Sequence, residues 1–280
     1  MFEILATKND SGRTIYKLIA KYLTNLPKSK LESLFRKKDI KINGKRINEK
    51  SLIVQENDQI VIYGIFDKKE KKEVFKVEQN FNIIYEDENI LIVDKKIGVE
   101  VHGPDNSLDN QVLSYLKFKQ IDSFKPSHVG RLDKETSGLI IYGKNYHTVK
   151  QLNDKISNFD KKYMFKSDFN EQYKEVELYF LKDYSTGKMK VSPKEKENSK
   201  YSKTILYVEK NKKIAQILTG RKHQIRLTLK FLGKPIYGDI KYGGKKADRL
   251  MLHSYYLKLQ NLNGDLKYLN GFEFYSLPKW

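Results

Sequence analysis

Apolar residues recur at helical spacing in two short runs near the start of the chain. Ile15, Leu18, Ile19 and Tyr22 form the first, and Leu31, Leu34 and Phe35 form the second, beyond the break at Pro27. Alternation follows: IKINGKRI (40–47) places apolar and polar residues in turn around Asn43-Gly44, a dipeptide suited to the left-handed backbone of a tight hairpin. QIVIY (59–63) predicts one more strand. Residues 1–66 are therefore expected to form a small α/β unit, two helices followed by a hairpin. Residues 67–78, DKKEKKEVFKVE, mix both charges and hold little apolar material, which predicts a solvated linker. From 79 to 280 strands dominate. FNIIYEDENILIVDK (81–95) predicts a hairpin turning at Asp87-Glu88-Asn89, with further strands at 138–142, 173–181, 203–208 and 214–218, the last two joined by a turn at Lys210–Lys213. Helices are predicted at 108–118, 145–156 and 221–232, and the Ser-, Lys- and Glu-rich stretch 184–203 reads as a surface loop. Strands outnumber helices and no βαβ repeat is visible, so the expected class is α+β, a mixed, largely antiparallel sheet with flanking helices.

Charge narrows the partners. The 280 residues carry 54 Lys+Arg against 35 Asp+Glu, a formal net charge of +19. An excess of that size suits a polyanion, and nucleic acid is the commonest one. The first unit concentrates it. Nine basic residues fall within 28–50, among them Arg36, Lys37, Lys38, Lys45 and Arg46, against three acidic ones. With no cysteine, disulfides, thiolate metal sites and cysteine nucleophiles are excluded, and the five scattered histidines predict no metal site. No basic n-region with a long apolar core opens the chain, and no apolar run reaches the ~20 residues of a membrane span. A cytoplasmic protein without a membrane partner is the expectation.

Two stretches carry candidate chemistry. HVGRLDKETSGLIIY (128–142) sets one carboxylate, Asp133, just before the apolar run Leu139–Tyr142, at the mouth of a predicted strand. An isolated Asp in such a place more often caps a turn than does chemistry, because Asp readily accepts backbone N–H bonds. The second stretch is TGRKHQIRLTLKFLGKPIYGDIKYGG (219–244). Its helix bears an apolar stripe of Ile225, Leu229 and Leu232, with Arg226 beside it at the core boundary. Taken alone, Arg226 more commonly reads as a surface arginine lying along a helix edge.

Taken together, GRLDKETSGL and TGRKHQIR…PI-GD…YG resemble the RluA family of RNA pseudouridine synthases. VDKKIGVEVHG (93–103) is similar to that family's Asn-Lys-Pro-x-Gly opening, and LHSYYLKL (252–259) to its Leu-His-Ala close. The related RsuA family shares the Gly-Arg-Leu-Asp loop but carries an Arg-Gln-Val-Arg-Arg helix, unlike the Arg221-Lys222-His223-Gln224-Ile225-Arg226 found here. The chain departs from the family at Gly130, where His is usual, at Lys96 for Pro and at Phe165 for Ala. Residues 1–66 resemble the alpha-L RNA-binding domain first described in a small-subunit ribosomal protein.

The resemblance implies an isomerase that converts uridine to pseudouridine after flipping it out of folded RNA, with no cofactor and no metal. It makes Asp133 the catalytic aspartate, Arg226 its counter-ion, Tyr163 of KKYMFK (161–166) the stacking partner of the flipped base, and Arg131 the group entering the vacated space. Arg221 and His223 join Arg36, Lys37, Lys38, Lys45 and Arg46 as expected RNA contacts. An alpha-L appendage in this family points to large-subunit (23S) ribosomal RNA or an assembly intermediate, with a monomer expected. A tRNA substrate is the alternative within the class, and a non-catalytic ribosome-assembly factor the alternative outside it.

Overall fold

The computed structural model describes residues 1–65, 77–185 and 187–280. The expected linker 67–78 lies outside the described residues except for its last two. By proximity along the fold the chain divides into two compact units, one built from Met1–Phe75 with Leu116–Pro126 and Asn145–His147, the other from the remainder.

The first unit holds β1 (Phe2–Leu5), α1 (Ile15–Tyr22), α2 (Lys28–Arg36), β2 (Ile40–Ile42), β3 (Lys45–Ile47) and β4 (Gln59–Ile62). The two helices and the hairpin fall where the apolar pattern put them. Thr14 caps α1 by accepting from the Lys17 amide, and Asn43-Gly44 turn the hairpin with φ of 49° and 80°. The apolar pattern did not reveal β1, a four-residue strand whose alternation is too short to register; it pairs with β4 and completes a sheet in the order β1-β4-β2-β3. Ile15, Leu18, Ile19, Leu34, Phe35 and Ile60 are sealed between helices and sheet, while Arg36, Lys37, Lys38, Lys45 and Arg46 remain exposed.

In the second unit the elements are β5 (Phe81–Glu86), β6 (Ile90–Lys95), α3 (Leu108–Tyr115), β7 (Ser127–Val129), β8 (Ser137–Gly143), α4 (Tyr146–Lys155), β9 (Asp160–Phe165), β10 (Tyr173–Lys182), β11 (Met189–Ser192), β12 (Lys200–Glu209), β13 (Lys212–Ile217), α5 (Gln224–Phe231), β14 (Leu252–Lys258) and β15 (Glu273–Tyr275). The first two residues of α4 group with the first unit. One sheet runs β11-β10-β12-β13-β9-β14-β8-β6-β5, with β15 on β14 and β7 on β8. Every pairing is antiparallel except β14 with β8, so the sheet is mixed and largely antiparallel, as the strand pattern implied.

Three expectations need correction. The stretch 184–203 is not all loop: Met189 and Val191 lie along an edge strand on β10, and β12 begins at Lys200. Polar edge residues hid it, since an edge strand exposes most of its side chains. The β12–β13 turn is two residues, Lys210 and Asn211, both at positive φ, because the right-handed strand twist favours that tight turn. The helix expected at 221–232 starts only at Gln224. His223 before it is left-handed (φ 57°), and the Gln224 side-chain Nε2 donates to Lys203 O and Thr204 Oγ1, tying the start of α5 to β12.

Apolar clusters on the sheet seat two of the helices that flank it. Phe165, Leu178, Phe180, Leu206, Ile225 and Leu229 pack α5 against β9, β10 and β12. Ile90, Ile92, Leu139, Ile141 and Leu152 pack α4 against β6 and β8. Among the described residues no helix is long and apolar enough to cross a membrane.

Candidate active site

Asp133 lies on the loop between β7 and β8, and Tyr163 lies on β9. Their strands are separated only by β14, where Ser254 is paired with Gly138 on one side and with Tyr163 on the other. The strands approach so closely there that a Cβ on Gly138 (φ 112°) would stand 2.2 Å from Ser254 O. A glycine is needed for both the angle and the space. It sets the loop's exit, and thereby where the carboxylate stands.

The turn itself is closed by the Asp133 carbonyl, which accepts from the Thr136 amide at 3.0 Å. Among the described residues the Asp133 side chain receives no backbone N–H, so it is not a turn cap. Its partners come from α5 instead. Arg226 Nη1 donates to Asp133 Oδ2 at 3.2 Å, and His223 Nε2 stands 3.7 Å from the same oxygen. Oδ1 has no protein partner among the described residues. The carboxylate is 27 % exposed, open to one side.

Arg226 is no surface arginine. Its side chain is only 8 % exposed, and Nε and Nη2 each donate at 2.8 Å to the two oxygens of a fully buried carboxylate, Asp239. Burial alone would make the guanidinium easier to deprotonate. The Asp239 and Asp133 carboxylates more than offset this and raise its pKa. Such a buried pair tolerates no loss of one member, because the survivor would be an uncompensated charge. Asp239 in turn caps the short turn Ile240–Tyr242 by accepting from the Tyr242 amide, and its loop is held by Gly238, where a Cβ would meet Arg249 O at 1.8 Å.

Tyr242 completes the cluster. Its ring lies 5.1 Å from the Arg226 guanidinium carbon, and its hydroxyl is 2.6 Å from His223 Nδ1. Burial, chiefly, raises the Tyr242 pKa to about 12, against the opposing pull of Arg226. Burial likewise lowers that of His223 to about 4; Asp133 pulls it up, while Arg226, Lys241 and Lys222 push it further down. His223 is thus neutral at physiological pH. Tyr163 is half-buried, its pKa raised to about 12 by desolvation first, with a Ser254 hydrogen bond opposing and the Asp133 charge adding.

These groups line a cavity of about 680 Å³, roomy enough for a nucleotide. Arg131, Asp133, Tyr163, Arg221, His223 and Arg226 all face it, so six of the residues singled out from sequence converge. Arg131 is exposed at its rim, and Arg221 Nε donates to Tyr201 O. Arg36, Lys37, Lys38, Lys45 and Arg46 belong to the other unit and are not among its lining residues. Lys161 also lines the wall. Its ammonium donates to the carbonyls of Ile156 and Phe159, and burial lowers its pKa to about 8. Sequence reasoning missed Asp239 and Tyr242. The signal was present in the Gly238-Asp239 and Tyr242-Gly243 pairs, which read as turn residues until Arg226 is seen to be buried against them.

A cavity-lining loop carboxylate with one oxygen engaged and the other unpaired among the described residues, on a strongly basic chain, has the form of an enzyme acting on a polyanion. Comparison with known proteins gives the class its name. The family model described as RNA pseudouridylate synthase matches residues 89–231. A Mycoplasma capricolum protein named an uncharacterized RNA pseudouridine synthase is 36% identical over 299 residues, covering 100% of this chain and 99% of that one. A Rickettsia felis protein named ribosomal large subunit pseudouridine synthase C is 34% identical, covering 91% and 90%. The solved structure of human RNA pseudouridylate synthase domain containing 1 shares the fold, with a TM-score of 0.59 at 23% identity over 71% of this chain and 84% of that one. The chain belongs to the RNA pseudouridylate synthase family, of the RluA type its motifs resemble, and is an RNA pseudouridine synthase.

Proposed function

We propose that Asp133 is the catalytic carboxylate and that the substrate is a uridine in large-subunit (23S) ribosomal RNA. The observation that carries this reading is the division of labour on Asp133: Arg226 takes Oδ2, held rigid by its two bonds to Asp239, and leaves Oδ1 without a partner among the described residues on a side chain that lines the cavity. A guanidinium so placed keeps the carboxylate ionised while the arriving base excludes water. Asp133 acts on the flipped nucleotide, the bond between uracil N1 and the ribose breaks, the base turns within the pocket, and C5 forms the new bond to the sugar. C5 gives up a proton and N1 gains one, so the reaction balances without an oxidant. Tyr163 supplies the face on which the uracil stacks, and Arg131 at the rim fills the space the base vacates. Arg221 contacts the RNA backbone beside the pocket.

We read the first unit as an alpha-L RNA-binding domain whose exposed Arg36, Lys37, Lys38, Lys45 and Arg46 meet phosphates. The ribosomal reading is supported by relatives such as the Rickettsia felis protein, whose name gives the large ribosomal subunit. A cytoplasmic monomer acting on rRNA or an assembly intermediate belongs to the same proposal. The test is carbodiimide-adduct primer extension on rRNA from cells lacking the gene. At least one stop disappears on deletion and returns with the wild-type gene but not with Asp133→Ala. Restoration by the Asp133→Ala gene would refute the aspartate assignment, and an unchanged set of stops on deletion would refute the rRNA substrate.

A further inference from the structure

His223 occupies an uncommon position. It is a non-glycine residue in the left-handed region (φ 57°, ψ 30°), directly ahead of the helix that carries Arg226. Left-handed backbone costs a residue with a Cβ about 1–2 kcal/mol unless something holds it there. Two contacts do so. Its Nδ1 is 2.6 Å from the Tyr242 hydroxyl, and its ring meets that of Tyr242 edge-on at 5.6 Å between centroids. The other nitrogen, Nε2, faces Asp133 Oδ2 at 3.7 Å.

We propose that His223 is a positioning residue for Asp133 rather than an RNA contact, held by the Tyr242 hydroxyl as the tautomer that carries its proton on Nε2. The proposal rests on the reading of Asp133 as the catalytic carboxylate. A neutral imidazole has one donor and one acceptor nitrogen, and the hydrogen bond at one decides the role of the other. A buried phenol hydroxyl has a proton to give, and Nδ1 at 2.6 Å takes it. Nε2 must then carry the ring's hydrogen, aimed at the carboxylate. At 3.7 Å the contact is electrostatic, and a small movement of the carboxylate as substrate enters closes it to a hydrogen bond. Arg226 and His223 then approach Oδ2 together, so the side chain cannot turn to present that oxygen to the cavity. The neutral charge state agrees with the surroundings: burial, Arg226 from α5, Lys241 from the turn beside Tyr242 and Lys222 from the preceding turn all oppose a second positive charge, with Asp133 in favour.

Three variants of the full chain test this. His223→Asn keeps a side chain that tolerates the left-handed backbone but cannot reach Asp133. Its single-turnover rate should fall roughly 10- to 100-fold, with RNA affinity and its salt dependence unchanged. His223→Gln, whose amide nitrogen approximates the reach of Nε2, should recover a large part of that rate. Tyr242→Phe keeps the ring under Arg226 and removes only the hydroxyl, freeing Nδ1 to bind a proton. Its single-turnover rate should then fall with RNA affinity unchanged, because Nδ1 can take the ring's hydrogen and leave Nε2 an acceptor facing the carboxylate. The proposal is overturned if His223→Asn weakens RNA binding and flattens its salt dependence at an unchanged rate, or if Tyr242→Phe keeps the wild-type rate. Asp133→Asn serves as the control: full activity in that variant would defeat the aspartate reading itself, whatever the His223 variants do.

Discussion

Asp239→Asn isolates the clamp behind the reacting carboxylate. Both Asp239 oxygens accept from Arg226 at 2.8 Å, the guanidinium side chain is 8 % exposed and the carboxylate fully buried. Asparagine preserves the shape, but it has one acceptor oxygen in place of two. Its NH2 would face an Arg226 N–H, donor against donor, and the charge pair is gone. Removing one partner of a buried pair costs about 3–5 kcal/mol. Against a typical stability of about 5–15 kcal/mol the variant stays folded at 25 °C. Activity should suffer separately. Among the described residues the other carboxylate on Arg226 is Asp133, already 3.2 Å from Nη1, so the freed guanidinium swings toward it and engages the oxygen that must stay open. A displacement of about 1 Å at a reacting group costs on the order of 100-fold in rate, about 2.7 kcal/mol in the barrier. Urea unfolding measures the first effect, and release of tritium from RNA labelled at uracil C5, under single-turnover conditions, measures the second. RNA affinity should hold. Wild-type turnover in a destabilised variant would show that Asp239 supports the fold alone, and wild-type stability would contradict the uncompensated charge.

Three other expectations follow from the same contacts. Gly138→Ala should destabilise the protein by roughly 2–5 kcal/mol, since its Cβ would meet the Ser254 carbonyl at a φ that disfavours side chains; an unchanged urea midpoint would show that β8 and β14 can separate freely. His223 has a folded pKa of about 4 against 6.5 unfolded, so below pH 6.5 the unfolded chain binds a proton that the native state refuses. Its contribution is fully present above pH 6.5 and falls by up to ~3 kcal/mol as pH drops toward 4. His223→Asn should flatten that stretch of the stability curve, and an equally steep curve would reject the assignment. Replacing Arg36, Lys37 and Lys38 together by Ala should lower the slope of log affinity against log salt by about 2, at ~0.7 per single-strand phosphate contact, while single-turnover chemistry at saturating RNA is unchanged; an unaltered slope would remove this patch from the RNA interface.

Much of this molecule was legible in one dimension. The helical runs at Ile15–Tyr22 and Leu31–Phe35, the Asn43-Gly44 hairpin and the long strands of the sheet are local patterns, and local patterns survive into the fold when nothing opposes them. The strands that left no periodic signal were mostly short: β1, β7, β11 and β15 are three or four residues each, too few to mark a period. β9 and β14, at the centre of the sheet, carry motif residues that mask their strand character, because Lys161-Lys162 and His253-Ser254 interrupt the alternation. Those interruptions are residues that serve the cavity or hold the chain beside it, and their polarity reflects that use.

For the site, the motif words and the charge of +19 were enough to single out Asp133, Tyr163 and Arg226 and to predict RNA as the partner. They could not say which oxygen of Asp133 is free, because that depends on where an arginine 93 positions away places its Nη1. Nor could they find Asp239 or Tyr242, whose spacing from Arg226 has meaning only once the Gly238 loop folds back against Arg249. Residue identity supplies the charges, donors and acceptors. Their directions come from the close approach of β8 to β14 and from the seating of α5 on the sheet, and in a buried cluster a turn of one side chain decides which charge is compensated and which is left to react.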